Sequence, residues 1–562
     1  MPSPHETTAL LHPDREEEDH VIGDTPYPAK ILTPDNNVTD SEANRGIPEA
    51  GEAAKISTWS FIKPRASTDS AEGLFTSNLD SSLVLATHPR IASEFDALDD
   101  SSWIFASFLL GGVVTQMLYA KLSDVYGRRV MLVFCYGLFG TGCGVSQSMG
   151  AVILGRVISG SGSGGMWGLV QVIVTDLVPL REAAPWLGYI NIVSATGRSI
   201  GGPLGGFLAD LVGWRWSFLG QTPLFFLAMI VSVMVVPNKK APGSDRGSAG
   251  LLSRIDFTGS LLLGASILFL IFPIEIGGVK VPWTHPAIFG LLAAGAVLLV
   301  LFVLNEARWA SKPAFPIYLM KHRDILASYA ALTCIVGSQT SLMYFVPIYF
   351  QVTTEESNTL VGLHLVPAVI GNGIGGLVSG HFIKRQAKES TGGYKAVILG
   401  ASVIGSIGYA LLIARWTGNT NTWESLYIAL GGFGSGMSSS AVFVSLNAVA
   451  EPAHKAVVTS LLQLTMPIGM LLGVAAGSAV MVGVLKKILA AKLLEIGLGD
   501  EIRGEIIQKA IANVDYIREL PEFIGDIVVG GYVTSLRASF VIILSLSLLG
   551  LAAGCLIRER RL

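Results

Sequence analysis

Three charged side chains sit inside long apolar runs: Asp80 in "SNLDSSLV", Arg156 in "LGRVISGSGSGGMWG" and Arg198 in "ATGRSIGGPLGG". In hydrocarbon such a group needs a partner or a water-lined cavity, and its default reading is functional. Burial drives a carboxylate toward its neutral form, and a nearby arginine drives it back toward its charged form. An aspartate balanced between the two can take up and release a proton. That is the chemistry expected of Asp80; the alternative is a helix N-cap. For Arg156 the alternative is a side chain that snorkels to the interface. Arg198, if it faces a central cavity, favours a carboxylate and disfavours lipophilic cations; otherwise it pairs with Asp80 or another polar residue. Asn78, Gln171, Asn191, Gln339, Asn372 and Asn447 are the polar residues able to line such a cavity. Each has the simpler alternative of a hydrogen bond between helices.

The elements that must position these groups are membrane helices. The chain of 562 residues is 51% hydrophobic and only 14% charged, with a mean hydropathy of +0.55. That is too little charge to coat a soluble protein of this size. The net charge of -3 says less than where the charges sit. Apolar segments of roughly 20 residues, the length that crosses a bilayer as helix, follow one another fourteen times between residues 73 and 556. An all-α polytopic membrane protein is expected. Residues 1–70 read as a disordered cytoplasmic tail, too polar to fold alone. Residues 73–236 read as a first six-helix half, 237–305 as a linker with two extra spans, and 325–556 as a second six-helix half. The second half includes a long non-cytoplasmic loop, 485–533, whose stretch "LKKILAAKLLEIG" either lies on the membrane surface or packs as a helical cap.

Basic connections (Arg128 and Arg129; Lys239 and Lys240; Arg308 and Lys312; Lys384 and Arg385) alternate with connections nearly bare of Lys and Arg. The asymmetry puts both termini in the cytoplasm. No apolar run follows the start, so no secretory signal peptide is expected. The first segment, 73–89, is short and holds Asp80. It is either a short, tilted helix or one whose upstream half is lost to a faulty gene model.

Between the second and third segments stands "AKLSDVYGRRVML", a turn carrying Asp124, Gly127, Arg128 and Arg129. Gly127 permits a tight turn, and Asp124 can cap a helix or pair with an arginine; a plain basic loop is the simplest reading. The string resembles the loop signature of the major facilitator superfamily, G-x-L-[AS]-D-x-[FY]-G-R-[RK], from Leu122 to Arg129, with Ala120 replacing the leading glycine. The resemblance implies a conformational latch at Asp124, Gly127, Arg128 and Arg129. "SGHFIKRQ" at 379–386 echoes it without the aspartate, as duplicated transporter halves would.

Other strings extend the resemblance. Arg156, Gly160 and Gly162 match the family's fourth-span signature, R-x-x-x-G-x-G, which implies proton transfer for Arg156. The string around Asp80 is similar to the family's "LD-x-[ST]-[IL]-V", which supports a coupling role. Gly202, Pro203, Gly205 and Gly206 resemble the antiporter signature of the fifth span. Arg198 stands where that signature has its first glycine, with Gly197 one residue early, and this leaves the close packing of that turn open. Two extra spans between the halves resemble the fourteen-span drug:proton antiporter group, and within it the fungal branch of vacuolar basic amino acid transporters.

Glu6, Leu10 and Leu11 fit an acidic dileucine pattern, [DE]-x-x-x-L-[LI], which sorting adaptors read as an address to the vacuole. The expected function is proton-coupled antiport of a small molecule, amino acids and first the basic ones, across the vacuolar membrane. The alternatives are multidrug or toxin efflux at the plasma membrane and a non-transporting sensor. Protons, substrate and the lipid bilayer are the expected partners, with a monomer and no nucleic acid. The nine histidines show no HExxH or HxxxH spacing, no GxxxxGK[ST] loop appears, and the four cysteines lie in apolar runs. No metal, cofactor or enzymatic activity is expected.

Overall fold

A chain in hydrocarbon has only its own backbone to satisfy its N–H and C=O groups, so each apolar segment closes into helix. The computed structural model describes residues 50–140, 143–177, 180–236, 238, 257–277, 281–309, 321–354, 356–388, 393–450 and 455–560. The chain divides into two compact units, Met1–Ser57 and Thr58–Leu562, and all fourteen apolar segments lie in the second. The architecture is all-α.

The first half contains α1 (Ala50–Glu94), α2 (Ser101–Tyr126), α3 (Arg128–Phe139), α4 (Met149–Leu177), α5 (Leu180–Leu211), α6 (Trp214–Leu219) and α7 (Thr222–Val235). The two extra spans are α8 (Phe257–Ile276) and α9 (Pro286–Leu304). The second half contains α10 (Arg323–Thr353), α11 (Asn358–His364), α12 (Val366–Lys388), α13 (Tyr394–Arg415), α14 (Ile428–Val449), α15 (Lys455–Glu495), α16 (Asp500–Ala512) and α17 (Glu522–Leu556). Among the described residues, eight helical stretches are long and apolar enough to cross a membrane.

Three features differ from the sequence reading. Helix α1 starts at Ala50, inside the segment expected to be a disordered tail. Ala50, Glu52, Ala53, Ala54 and Lys55 are strong helix formers, and polarity alone does not forbid helix. The stretch "LKKILAAKLLE" does not lie apart on a surface: it continues α15 to Glu495, with Leu485, Leu489 and Leu493 buried one turn apart. The third segment is interrupted after α3, which ends at Phe139, and the sixth passes from α6 to α7 through Gly220 and Gln221, which keep right-handed helical backbone.

Small residues set the helix spacing. A methyl group on Gly160 of α4 would run into the Phe108 carbonyl of α2, and one on Gly164 into the Gly112 carbonyl. Helix α2, with 26 residues, spans about 39 Å at ~1.5 Å per residue. At its Ser101 end, far from Gly127, the halves meet. The His88 ring stacks on Tyr344, centroids 4.1 Å apart, and Ser101 bonds the Tyr344 hydroxyl at 2.6 Å. Asp210 accepts from the backbone N–H of Asn358 (3.2 Å) and Thr359 (2.8 Å) and from the Thr359 hydroxyl (2.5 Å). Residues after α16 reach back to the α1–α2 turn: Asn513 donates to Asp96 at 3.0 Å, the Val514 N–H to Ser93 at 3.1 Å, and Arg90 pairs with Asp515.

Near the same end, Glu94 accepts from Trp214 and, at 2.5 Å, from Arg215. Burial pushes its carboxyl up, but these two donors outweigh burial and hold it below the ordinary carboxylate value. A depressed carboxylate contributes above its unfolded pKa and loses that contribution as pH falls through its folded value. This clamp of α1 onto α6 therefore persists in mild acid.

Gly160→Ala is expected to destabilise by about 1–3 kcal/mol, the usual penalty of overpacking, seen as a lower melting temperature of the purified protein. Gly150→Ala, on the same helix, meets nothing within 4 Å and is expected to leave melting unchanged. Equal effects would refute the packing described for α2 and α4.

Candidate functional site

Asp80 lies well inside α1, which rules out an N-cap at the start of a short span. Arg156 lies two turns into α4 and does not snorkel: its side chain is 0% exposed and that of Asp80 is 2% exposed. The Arg156 Nη1 sits 2.6 Å from Asp80 Oδ2. Its Nε donates to the Ile104 carbonyl at 3.1 Å, and the guanidinium lies 4.1 Å over the Phe108 ring. Gln221, between α6 and α7, donates to the second Asp80 oxygen at 3.4 Å and to the Ser217 carbonyl at 2.9 Å. The pair is thus bidentate in neither direction and shared among α1, α2, α4 and the α6–α7 junction.

The second half shows what the same packing looks like without charge. In the first half, α5 packs on α1 with Gly197 against Phe75 and Gly201 against Leu79; in the second, α15 packs on α10 with Gly469 against Thr333 and Gly473 against Gly337. Likewise Gly160 and Gly164 of α4 meet Phe108 and Gly112 of α2, while Gly432 and Gly436 of α14 meet Ala368 and Asn372 of α12. Matching these contacts in register pairs Ser338, the residue after Gly337, with Asp80, the residue after Leu79. It pairs Ile428, one turn before Gly432, with Arg156, one turn before Gly160. Ser338 and Ile428 are both 0% exposed. Neutral residues thus stand at the register-equivalent positions of the second half.

Arg198 does not pair with Asp80. Its Nη2 donates to Asn78 Oδ1 at 2.9 Å, and Asn78 in turn donates to the Leu74 carbonyl at 2.7 Å. Helical residues two apart point about 200° away from each other, so α1 carries Asn78 and Asp80 on opposite faces. The close packing of the Arg198 turn is kept by Gly197, whose Cβ position is occupied by Phe75 of α1. Gly205 faces α1, whereas Gly202 and Gly206 meet Gly362 and Asn358 across the half–half boundary. The signature glycines thus serve two neighbours.

Among the described side chains, Gln339, Asn372 and Asn447 make no contact with Arg198. Gln339 is buried within the second half, where the Tyr409 hydroxyl donates to its Oε1 at 3.2 Å and Gly431 packs against it; the interhelical role holds for it. Asn372 is half-buried on α12, and Asn447 bonds its own helix at Phe443. The side chains of Gln171 and Asn191, and the sorting residues Glu6, Leu10 and Leu11, lie outside the described residues, as do Lys239, Lys240 and Lys312.

At the turn between α2 and α3, Gly127 adopts φ 99°, a backbone state that favours glycine. Arg128 pairs with Asp124 at 2.6 Å and donates to Ser123 at 2.5 Å. Arg129 donates to the Val236 carbonyl at 2.6 Å, tying the turn to the end of α7.

Two participants escaped sequence reasoning. Gln221 was readable as a polar residue inside an apolar segment, in "GQTP", but only the fold brings it to Asp80. Asp210 ends α5 and looks like an ordinary surface acid until Asn358 and Thr359 of the other half are placed beside it.

Residues 73–474 match the family model described as Major Facilitator Superfamily. The chain is 30% identical to the "Multidrug resistance protein fnx1" of Schizosaccharomyces pombe over 499 residues, 87% of this chain and 91% of that protein. It is 29% identical to the "Vacuolar membrane amino acid uptake transporter fnx2" of the same organism over 87% of this chain and 83% of that one. Among solved structures, it resembles a bacterial homologue of the human lysosomal transporter Spinster in an inward-facing, unoccupied conformation. The TM-score is 0.57 with 16% identity, over 89% of this chain and 97% of that one, a likeness of fold. With this match, its all-α architecture and its duplicated halves, the chain belongs to the Major Facilitator Superfamily and is a membrane transporter of that family.

Proposed function

We propose that this transporter is a proton-coupled antiporter that moves amino acids, basic ones first, across the vacuolar membrane. The observation that carries the reading is the buried Asp80–Arg156 pair, present in one half and replaced by Ser338 and Ile428 in the other. An ionisable pair in hydrocarbon is by default retained for what it does. When Asp80 takes a proton, its hold on Arg156 weakens; when Asp80 gives the proton up, the pair re-forms. On the opposite face of α1, Arg198 and Asn78 offer a guanidinium and an amide to a substrate carboxylate. The contacts between halves at the Ser101 end form a closed gate, and the charge asymmetry of the loops assigns that end to the non-cytoplasmic side, with both termini cytoplasmic. The turn at Asp124, Gly127, Arg128 and Arg129 serves as the opposite latch. A vacuolar amino acid uptake transporter among the relatives supports substrate and membrane.

A second reading, drug or toxin efflux at the plasma membrane, is favoured by the relatives named "Multidrug resistance protein fnx1" and "Efflux pump dotC". Arg198 weighs against it for lipophilic cations.

Replacing one partner of a buried ion pair leaves the other unpaired, at about 3–5 kcal/mol. Asp80→Ser and Arg156→Ile alone are therefore expected to lower the melting temperature sharply. The double variant copies the second half and is expected to recover melting while losing lysine uptake driven by a pH gradient in proteoliposomes. Proton-driven uptake by the double variant at the wild-type rate would refute the coupling role. Arg198→Ala is expected to raise the KM for lysine about ten-fold, the effect of removing one charge-assisted hydrogen bond of ~1.5 kcal/mol, with melting unchanged; a lower melting temperature at unchanged KM would make Arg198 structural. Removal of Leu10 and Leu11 is expected to shift the fluorescently tagged protein from vacuole to plasma membrane, and unchanged location would eliminate the dileucine address.

A further inference from the structure

We infer that Asp80 exchanges its proton with water held in a chamber inside the first half, apart from the Arg198–Asn78 face where substrate is proposed to bind. The inference rests on the reading of Asp80 as the proton carrier. A cavity beside Asp80 offers about 20 Å³ to water centres and is lined by Phe139, Cys143, Ser159, Gln221 and Thr222. That volume holds one or two waters.

Two features fit water there. Gln221 Oε1, on a lining side chain more than nine-tenths buried, makes no hydrogen bond to a described residue. Such a buried orphan is what an internal water satisfies. In addition, Ser159 lies 3.8 Å from the Cys143 sulfur and bonds the Phe139 carbonyl at 3.3 Å, which leaves polar groups along the wall.

The titratable groups facing Asp80 are Arg156 from α4 and the Cys143 thiol from the turn after α3. A hydronium ion in the chamber gives one proton to an Asp80 oxygen, leaving neutral water and a neutral carboxylic acid that no longer pairs with Arg156. The reverse step returns the proton and restores the pair. Gln221 acts as a positioning residue: its amide N–H points to Asp80 and its free carbonyl oxygen is available to the water. Proton and substrate thereby reach α1 from opposite faces.

The two cysteines of this half provide an internal control. Cys143 lines the chamber, whereas Cys135 is buried among Met131, Leu132 and Tyr136. Radiolytic hydroxyl labelling of the full chain in nanodiscs, read by mass spectrometry, is expected to oxidise Cys143 faster than Cys135. In Gln221→Leu the Cys143 rate is expected to fall toward that of Cys135, and in Gln221→Asn to recover in part. Equal rates at the two cysteines in the wild type would overturn the chamber, whatever the variants do. Proton-driven lysine uptake by Asp80→Asn separates the two readings. If it persists, proton coupling at Asp80 falls and the delivery role with it. If it is lost while the cysteines label equally, only the chamber falls.

Discussion

A guanidinium buried in hydrocarbon must be neutralised, and the rest of the first half is arranged around that requirement. Arg156 reaches Asp80 at 2.6 Å only because α4 and α1 both approach their neighbours at glycine positions. Closer helices bring the Ile104 carbonyl and the Phe108 ring to the same guanidinium, so that its charge is shared by a carboxylate, a backbone dipole and an aromatic face. Leucine in place of Gly160 would separate α4 from α2 and remove all three at once. The ion pair therefore constrains the small-residue faces, as much as those faces permit the pair.

The duplicated halves sharpen what the pair is for. One architecture is built twice, once with Asp80 and Arg156 and once with Ser338 and Ile428 at the register-equivalent positions. Desolvating two charges is expensive, and a hydrophobic replacement of similar volume is often as stable or more so. At this position the fold pays for charge in one half only. That half also carries Arg198, joined to the same helix through Asn78 on the opposite face. In the proposed mechanism α1 carries the proton-binding group on one face and the substrate-binding group on the other, so a change in its position on protonation couples the two without a separate relay.

Much of this was legible in the sequence. Among the described residues the apolar segments fall mainly on helix because backbone satisfaction in hydrocarbon leaves no other local solution, and Asp80 and Arg156 stood out because charge is rare there. The partnership of Arg198 was not legible. Residues 78 and 198 are far apart in the chain, and only the register of α5 on α1, set by Gly197 and Gly201, turns Arg198 toward Asn78 and away from Asp80. The partner of Gln339 was hidden for the same kind of reason: a polar residue in a span announces burial but not direction, and Tyr409 lies three helices on. Helix α1 exceeded its expected start because helix propensity at Ala50–Lys55 is local, whereas the polar composition that suggested disorder speaks only to the lack of a core.

The most direct measurement is proton release on substrate binding. Lysine added to the purified, detergent-solubilised protein in weakly buffered solution should release protons if substrate and proton compete through α1. Release should be absent in Asp80→Asn and retained in Asp124→Asn. Equal release from the wild type and Asp80→Asn would contradict the assignment of Asp80 as the proton carrier.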